Sequence, residues 1–213
     1  MNINAIDNLP RRLAERLRCP LPGRPAQAWF SPELSYGRQF GPPSHDARPA
    51  AVIILLYPHQ NEWHIPLTLR PADMTDHAGQ VSLPGGSMEA EETSREAALR
   101  ELHEELGVPP DGIEVLNPLS PIYVFVSNHW VTPWVAATSK RPSIRPNRAE
   151  VAEVLEVPLS TLLDSANLAR HQIHRHGLTF SAPHISWRTH RIWGATGMML
   201  GEFIAVVDGL DDT

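Results

Sequence analysis

GSMEAEETSREAALRELHEELGV, residues 86–108, places seven glutamates in the seventeen positions from Glu89 to Glu105. Like charges at i,i+4 on a helix each cost about a few tenths of a kcal/mol, so such crowding needs a reason. Either the acids form a solvated helix face, or they are gathered to hold a cation. The spacing predicts a helix over 91–106, with Thr93 and Ser94 in its cap region and Gly107 at its C-terminal end. At about 100° per residue, Glu101, Glu104 and Glu105 share a face as i, i+3 and i+4. Ala98, Leu99, Leu102 and Leu106 supply the apolar side that seats the helix on a sheet. Arg100 lies four residues before Glu104 and eight after Glu92, within reach of either carboxylate. Upstream, the turn PGG (84–86) lets backbone carbonyls approach a ligand closely. Carboxylate and carbonyl oxygens are the donors that Mg²⁺ and Mn²⁺ prefer.

Outward from this helix the chain alternates strand and helix signals. AVIILLYP (51–58) and EWHIPLTLR (62–70) read as paired strands, and 71–86 as turn-rich with an extended piece at 80–83. Extended segments are expected at 113–127 and 130–138, a strand running into a short helix at 152–164, one or two strands at 177–194, and a last helix at 195–210. Residues 6–18 read as a short amphipathic helix through Ile6, Leu9, Leu13 and Leu17, and 19–50 as an irregular Pro/Gly-rich arm. The expected architecture is an α/β/α sandwich around a mixed sheet, with an N-terminal helix and arm at 1–49 and the compact main domain at 50–210.

Composition narrows the function classes. A formal charge of −6 over 213 residues gives no basic footprint for nucleic acid or an anionic membrane. The longest apolar run, 51–57, is far short of a membrane span, and the first residues have no apolar signal core. The single cysteine, Cys19, excludes an intramolecular disulfide. A soluble, cytoplasmic protein is expected.

The acidic stretch resembles the Nudix box, Gly-x5-Glu-x7-Arg-Glu-U-x-Glu-Glu-x-Gly-U with U a bulky aliphatic. Gly86, Glu92, Arg100, Glu101, Leu102, Glu104, Glu105, Gly107 and Val108 fill all nine specified positions. A chance match is roughly 10⁻¹⁰ to 10⁻⁹ per starting position at average residue usage, which decides against a merely solvated face. The resemblance implies a Nudix hydrolase, cleaving a diphosphate with Mg²⁺ or Mn²⁺. It implies that Glu101, Glu104, Glu105 and the Gly86 carbonyl bind metal, that Arg100 orients the carboxylates, and that Glu92 holds Arg100. Gly107 reads as structural. A general base or further ligand outside the box is expected at Glu150, with Glu153 as the alternative.

The preceding residues, PLTLRPADMTDHAGQVSLPGG (66–86), are similar to the signature of the coenzyme A diphosphatase subfamily. Leu67, Thr68, Arg70, Gly79, Pro84, Gly85 and Gly86 match it, whereas Pro66, Pro71, Thr75 and Leu83 depart from it. Thr75 matters most, because threonine cannot supply the phosphate-pairing charge of the arginine it replaces. VTPWVA (131–136) and RIWGATG (191–197) are also similar to that subfamily. Coenzyme A or an acyl derivative is therefore the expected substrate, yielding 3′,5′-ADP and 4′-phosphopantetheine, with ADP-ribose, NADH or another dinucleotide as the alternative. A Nudix-fold binding module without catalysis is the reading from another class. Arg70 and His77 are the expected phosphate contacts, and a homodimer is expected from the resemblance alone. His171, His174 and His176 lack the spacing of a closed transition-metal site. Trp187 and Trp193 suit either an adenine stack or the core.

Overall fold

The central strand, β1 (Arg48–His59), sorts its side chains by simple alternation. Ala51, Ile53, Leu55 and Tyr57 point to one side, and Ala50, Ile54 and Leu56 to the other; all seven are buried. The computed structural model of the chain describes residues 8–35, 38–72, 79–175 and 177–210. Because both faces of β1 are apolar, the sheet must be covered on both sides, and it is.

The chain begins with α1 (Leu9–Arg16), whose Leu9 and Leu13 are buried. The arm is less irregular than its proline content suggests, since it contains α2 (Arg24–Ala28) and two single 3₁₀ turns, Glu33–Ser35 and Arg38–Phe40. Pro25 stands in the first turn of α2, where a missing N–H costs nothing. After β1 come β2 (Glu62–Leu69), β3 (Val81–Ser82), β4 (Gly85–Ser87) and α3 (Ser94–Leu106). Then follow β5 (Glu114–Pro118), β6 (Ile122–Val124), β7 (His129–Ala137), β8 (Glu153–Pro158) and α4 (Leu159–Leu163). The chain closes with β9 (Leu168–Arg175), β10 (Leu178–Trp187), β11 (His190–Trp193) and α5 (Gly194–Asp208).

The large sheet runs β3-β2-β1-β7-β5, with β4 on β1, β6 on β7 and β8 on β2. Among the described residues only β1 and β7 pair in parallel in this sheet, so it is mixed as expected. On one face, Ala97, Ala98, Leu102 and Leu106 of α3 pack on the Ala51–Ile53–Leu55 row and Ala136. On the other, α1 and α5 enclose Ile54, Leu56 and Val135 with Phe203, Val206 and Val207. The α/β/α sandwich is thus present. A separate three-stranded sheet, β11-β10-β9, was not foreseen as a unit. No helix among the described residues is long and apolar enough to cross a membrane.

Glu202 of α5 is fully buried and ties the arm to the body. Its carboxylate accepts from the Gly23 N–H at 3.0 Å, Gln27 Nε2 at 2.8 Å and the Ser120 N–H at 3.2 Å. Glu202→Ala leaves the part-buried Gly23 and Ser120 N–H groups and one N–H of Gln27 without this acceptor, at about 1–3 kcal/mol each before relaxation. A loss of about 3 kcal/mol in urea unfolding is expected, with earlier proteolysis within residues 19–35. Equal stability of the variant would refute this role.

Candidate active site

Thr93 caps α3 through a reciprocal pair: its Oγ1 accepts from the Glu96 N–H at 3.3 Å, and its own N–H donates to Glu96 Oε2 at 2.9 Å. At the far end Gly107 has φ 65° and its N–H donates to the His103 carbonyl. A side chain on Gly107 would sit 2.9 Å from the Arg145 carbonyl oxygen. Its absence lets residues 145–151 lie against the helix end, where Arg145 N–H donates to Leu106 O at 2.7 Å and Asn147 N–H to Glu105 O at 2.8 Å. That loop delivers Glu150.

Arg100 is the hub of the acidic cluster. Its Nε and Nη2 grip both oxygens of Glu92 at 2.9 and 3.1 Å, and Nη1 donates to Glu101 Oε1 and Glu104 Oε2, each at 2.9 Å. Nη2 also donates to the Ser87 carbonyl at 3.0 Å, joining the helix to β4. The Glu92 carboxyl is held below its ordinary pKa by its hydrogen bonds to Arg100. Glu101 is raised by burial, with Arg100 pulling the other way.

Glu105 differs from its neighbours. It is 5% exposed, and its carboxyl is pushed up to about 8, first by burial and then by the nearby Glu101 and Glu150 charges. Arg70 and the Gly85 N–H oppose the shift only in part. Glu105 Oε2 is buried with no hydrogen-bond partner. The acidic face seen in the sequence is therefore divided: Glu105 turns inward, and Glu104 stays half exposed. Among the described residues no three acidic, histidine or cysteine side chains already converge around one point; Arg100 holds Glu101 and Glu104.

The glycine turn is shaped by the same contacts. A Cβ on Gly85 would run into the Ala51 carbonyl and Val52, and one on Gly86 would lie 2.6 Å from Glu101 Cδ. Gly86→Ala must displace the Glu101 carboxylate, whose Oε1 Arg100 holds at 2.9 Å. We expect turnover to fall at least tenfold while stability changes by about 1 kcal/mol, read by kinetics beside thermal unfolding. A fully active variant would show that the close approach is dispensable.

The orphaned Glu105 oxygen, the glycine that leaves room at Glu101 and the oxygen-only donor set together fit a hard divalent cation. Glu150 stands close enough to raise both Glu101 and Glu105, whereas Glu153 opens β8 opposite Leu69 and pairs with His190 at 3.4 Å. Of the two, the structure brings Glu150 to the cluster. Arg70 is there too, with its Nε buried and unpartnered. His77 and Thr75 lie outside the described residues, as does His176. His171 and His174 do not converge: His171 Nδ1 meets His184 Nδ1 at 3.2 Å, and His174 Nδ1 meets Thr179 Oγ1 at 2.8 Å. Trp187 is partly buried against the core, and Trp193 stands edge-on to His171.

A cavity of about 760 Å³ opens from this turn. Gly85, Gly86, Ser87 and Arg70 line one part of it; the arm, β10 and α5 enclose the rest through residues such as Leu34, Phe180 and Met199. Sequence reading missed the arm as a cavity wall, because its contacts are long-range and no local pattern announces them.

A glycine turn beside an oxygen-rich carboxylate cluster, on an α/β/α sandwich, defines the class of Nudix-type diphosphatases. The chain belongs to the Nudix hydrolase family: residues 47–177 match the NUDIX domain. It is 36% identical over 167 residues to an uncharacterised Nudix hydrolase, NudL, of Pectobacterium atrosepticum, a match spanning 74% of this chain and 82% of that one. With the NudL of Cronobacter sakazakii it shares 34% identity over 161 residues, 75% of this chain and 82% of the relative. A crystal structure of a C. elegans Ap4A hydrolase binary complex superposes with TM-score 0.51 at 15% identity, covering 76% of this chain and 98% of that one, a likeness of fold alone. Nudix hydrolases generally use divalent metal ions.

Proposed function

We propose that this Nudix diphosphatase hydrolyses coenzyme A or its acyl derivatives to 3′,5′-ADP and 4′-(acyl)phosphopantetheine, with Mg²⁺ or Mn²⁺, in the cytoplasm. The observation that carries the reading is that Arg70 and the Gly85–Gly86 turn open into one cavity of about 760 Å³, far more room than a diphosphate needs. Arg70 belongs to the matched part of the coenzyme A signature and lines the cavity, where a guanidinium suits a phosphate.

Glu101, Glu104, Glu105 and the Gly86 carbonyl are the groups that hold the cation. When bound, it supplies charge neutralisation at the diphosphate and a water of lowered pKa. Arg100 fixes the orientation of Glu101 and Glu104 and is itself fixed by Glu92. Glu150 accepts the proton of the attacking water as the new P–O bond forms and the anhydride P–O bond breaks. Arg70 holds the diphosphate in place. The proposal includes a homodimer, which a single-chain mass by light scattering at micromolar concentration would overturn.

ADP-ribose or NADH is the second reading, favoured by Thr75 and by Leu83, which is buried and lines the cavity. A chromatographic product assay with coenzyme A, ADP-ribose and NADH separates the two. Formation of 3′,5′-ADP, abolished in Glu104→Gln, supports the first; turnover confined to ADP-ribose or NADH moves the substrate and keeps the chemistry.

A further inference from the structure

The chain carries a formal charge of −6, yet the cavity is charged the other way. Among the described residues that line it, the charged side chains are Arg38, Arg48 and Arg70, with no acid beside them. A guanidinium keeps its charge at any physiological pH, so this lining attracts anions. The diphosphate takes Arg70 and leaves Arg38 and Arg48 over.

The pleat of β1 fixes where Arg48 stands. Its side chain falls on the same face as Ala50 and Val52, and all three line the cavity. Ala50 lies opposite Ser87 of β4 on one side and Val131 of β7 on the other, while Arg48, nearer the start of β1, lies opposite His129. Gly86 is opposite Ala51, so Arg48 sits about 10 Å along the strand from the glycine turn. Arg70 comes to the same turn from the end of β2. Two guanidiniums that approach from different strands suit a ligand with two separate anionic groups.

Arg48 is exposed, and it is aimed without being neutralised. Its Nη2 donates to the Ser127 carbonyl at 3.1 Å; Nε and Nη1 make no hydrogen bond to the described residues, and no carboxylate among them pairs with it. The turn that holds Arg48 is itself fastened, since Ser127 Oγ meets His129 Nδ1 at 3.0 Å and His129 Nε2 meets Ser87 Oγ at 3.1 Å. Arg38 lies over the Phe125 ring, 4.7 Å from its centroid, and brings a second positive charge to the same turn. A side chain already steered by one backbone bond loses little freedom when an anion arrives.

We propose that Arg48 binds a phosphate monoester of the substrate, apart from the diphosphate that is cleaved, and that Arg38 strengthens the field there. In coenzyme A that group is the 3′-phosphate of the ribose, which ADP-ribose and NADH lack. Arg48 is then a specificity-determining residue for 3′-phosphorylated nucleotides. This deepens the coenzyme A reading and rests on it for which phosphate is bound, but not for the existence of the anion subsite.

The test is calorimetric titration of the full-length protein, in the presence of Mg²⁺, with adenosine 3′,5′-bisphosphate and with adenosine 5′-monophosphate, which differ only in the 3′-phosphate. Wild type should bind the bisphosphate about tenfold more tightly, as expected for one charge-assisted pair at an open site. Arg48→Met should lose most of that margin, and Arg48→Lys, which keeps the charge without the planar fork, should recover part of it. In turnover, the preference for coenzyme A over dephospho-coenzyme A should fall about tenfold in Arg48→Met, through KM rather than kcat. Equal binding of the two adenosine phosphates by wild type, or an unchanged margin in Arg48→Met, overturns the inference even if coenzyme A is hydrolysed. An Arg48-dependent margin without coenzyme A turnover upholds the anion subsite and removes only coenzyme A as the substrate.

Discussion

Arg100→Ala is expected to lower stability by about 3 kcal/mol, enough to move the melting temperature of a chain this size by about 6–12 °C. The reason is the number of charges that one guanidinium neutralises. It holds both oxygens of Glu92 and one oxygen each of Glu101 and Glu104 at 2.9–3.1 Å. Its own side chain is 23% exposed, with Glu92 at 12% and Glu101 at 15%, so water cannot substitute fully when it is removed. Glu104, 50% exposed, adds little to the total. Arg100→Lys keeps the charge and loses the planar fork that grips Glu92, so it should recover less than half of the loss. A divalent cation should restore part of the missing stability in Arg100→Ala, since it neutralises the same carboxylates. Thermal unfolding with and without the cation reads all three outcomes. If Arg100→Ala melts within a degree of wild type, the carboxylates are not held apart by this residue.

The acidic helix was legible because its signals are local. The Thr93 cap, the Gly107 stop and the 3.6-residue spacing of Leu102 and Leu106 all lie within a few turns of chain. β1 was equally clear, since a strand buried on both faces reads as an unbroken apolar run. What escaped depends on residues far apart. Spacing put Glu101, Glu104 and Glu105 on one face, yet only packing on β1 decides that Glu105 turns into the core while Glu104 stays in solvent. Gly107 was read as a helix stop; its second task, admitting the loop that brings Glu150, needs the position of Arg145. The arm looked irregular because the Glu202 carboxylate that orders it comes about 180 residues later. β9 (LARHQIHR) was hidden by its polar composition, and only its pairing with β10 makes it a strand. Local grammar carried the elements, and tertiary contact carried the burial, the loop and the cavity wall.

Glu105→Gln should abolish most of the activity and stabilise the cation-free protein at alkaline pH. Turnover should fall on the order of 10²–10³-fold, because the amide cannot become the anionic oxygen that a bound cation would draw from the carboxyl. Stability moves the other way for an electrostatic reason. Burial, reinforced by Glu101 and Glu150, lifts the Glu105 carboxyl from 4.5 to about 8 in the folded chain. Between those two values the unfolded chain has released its proton and the native chain still holds one. Stability from this group is therefore complete below pH 4.5, falls as pH rises through the window, and is lost above pH 8. The full swing is on the order of a few kcal/mol. Glu105→Gln has no proton to lose, so its urea-unfolding free energy should lack this slope and exceed that of wild type near pH 8. A divalent cation should flatten the wild-type slope by stabilising the carboxylate and leave the variant unmoved. Parallel pH profiles for the two cation-free proteins would sink the argument, because they would mean that the Glu105 carboxyl is already ionised in the native state at neutral pH. Were the slopes to differ as expected while turnover survived, Glu105 would be a buried acid without a part in the chemistry, leaving Glu101 and Glu104 to hold the cation.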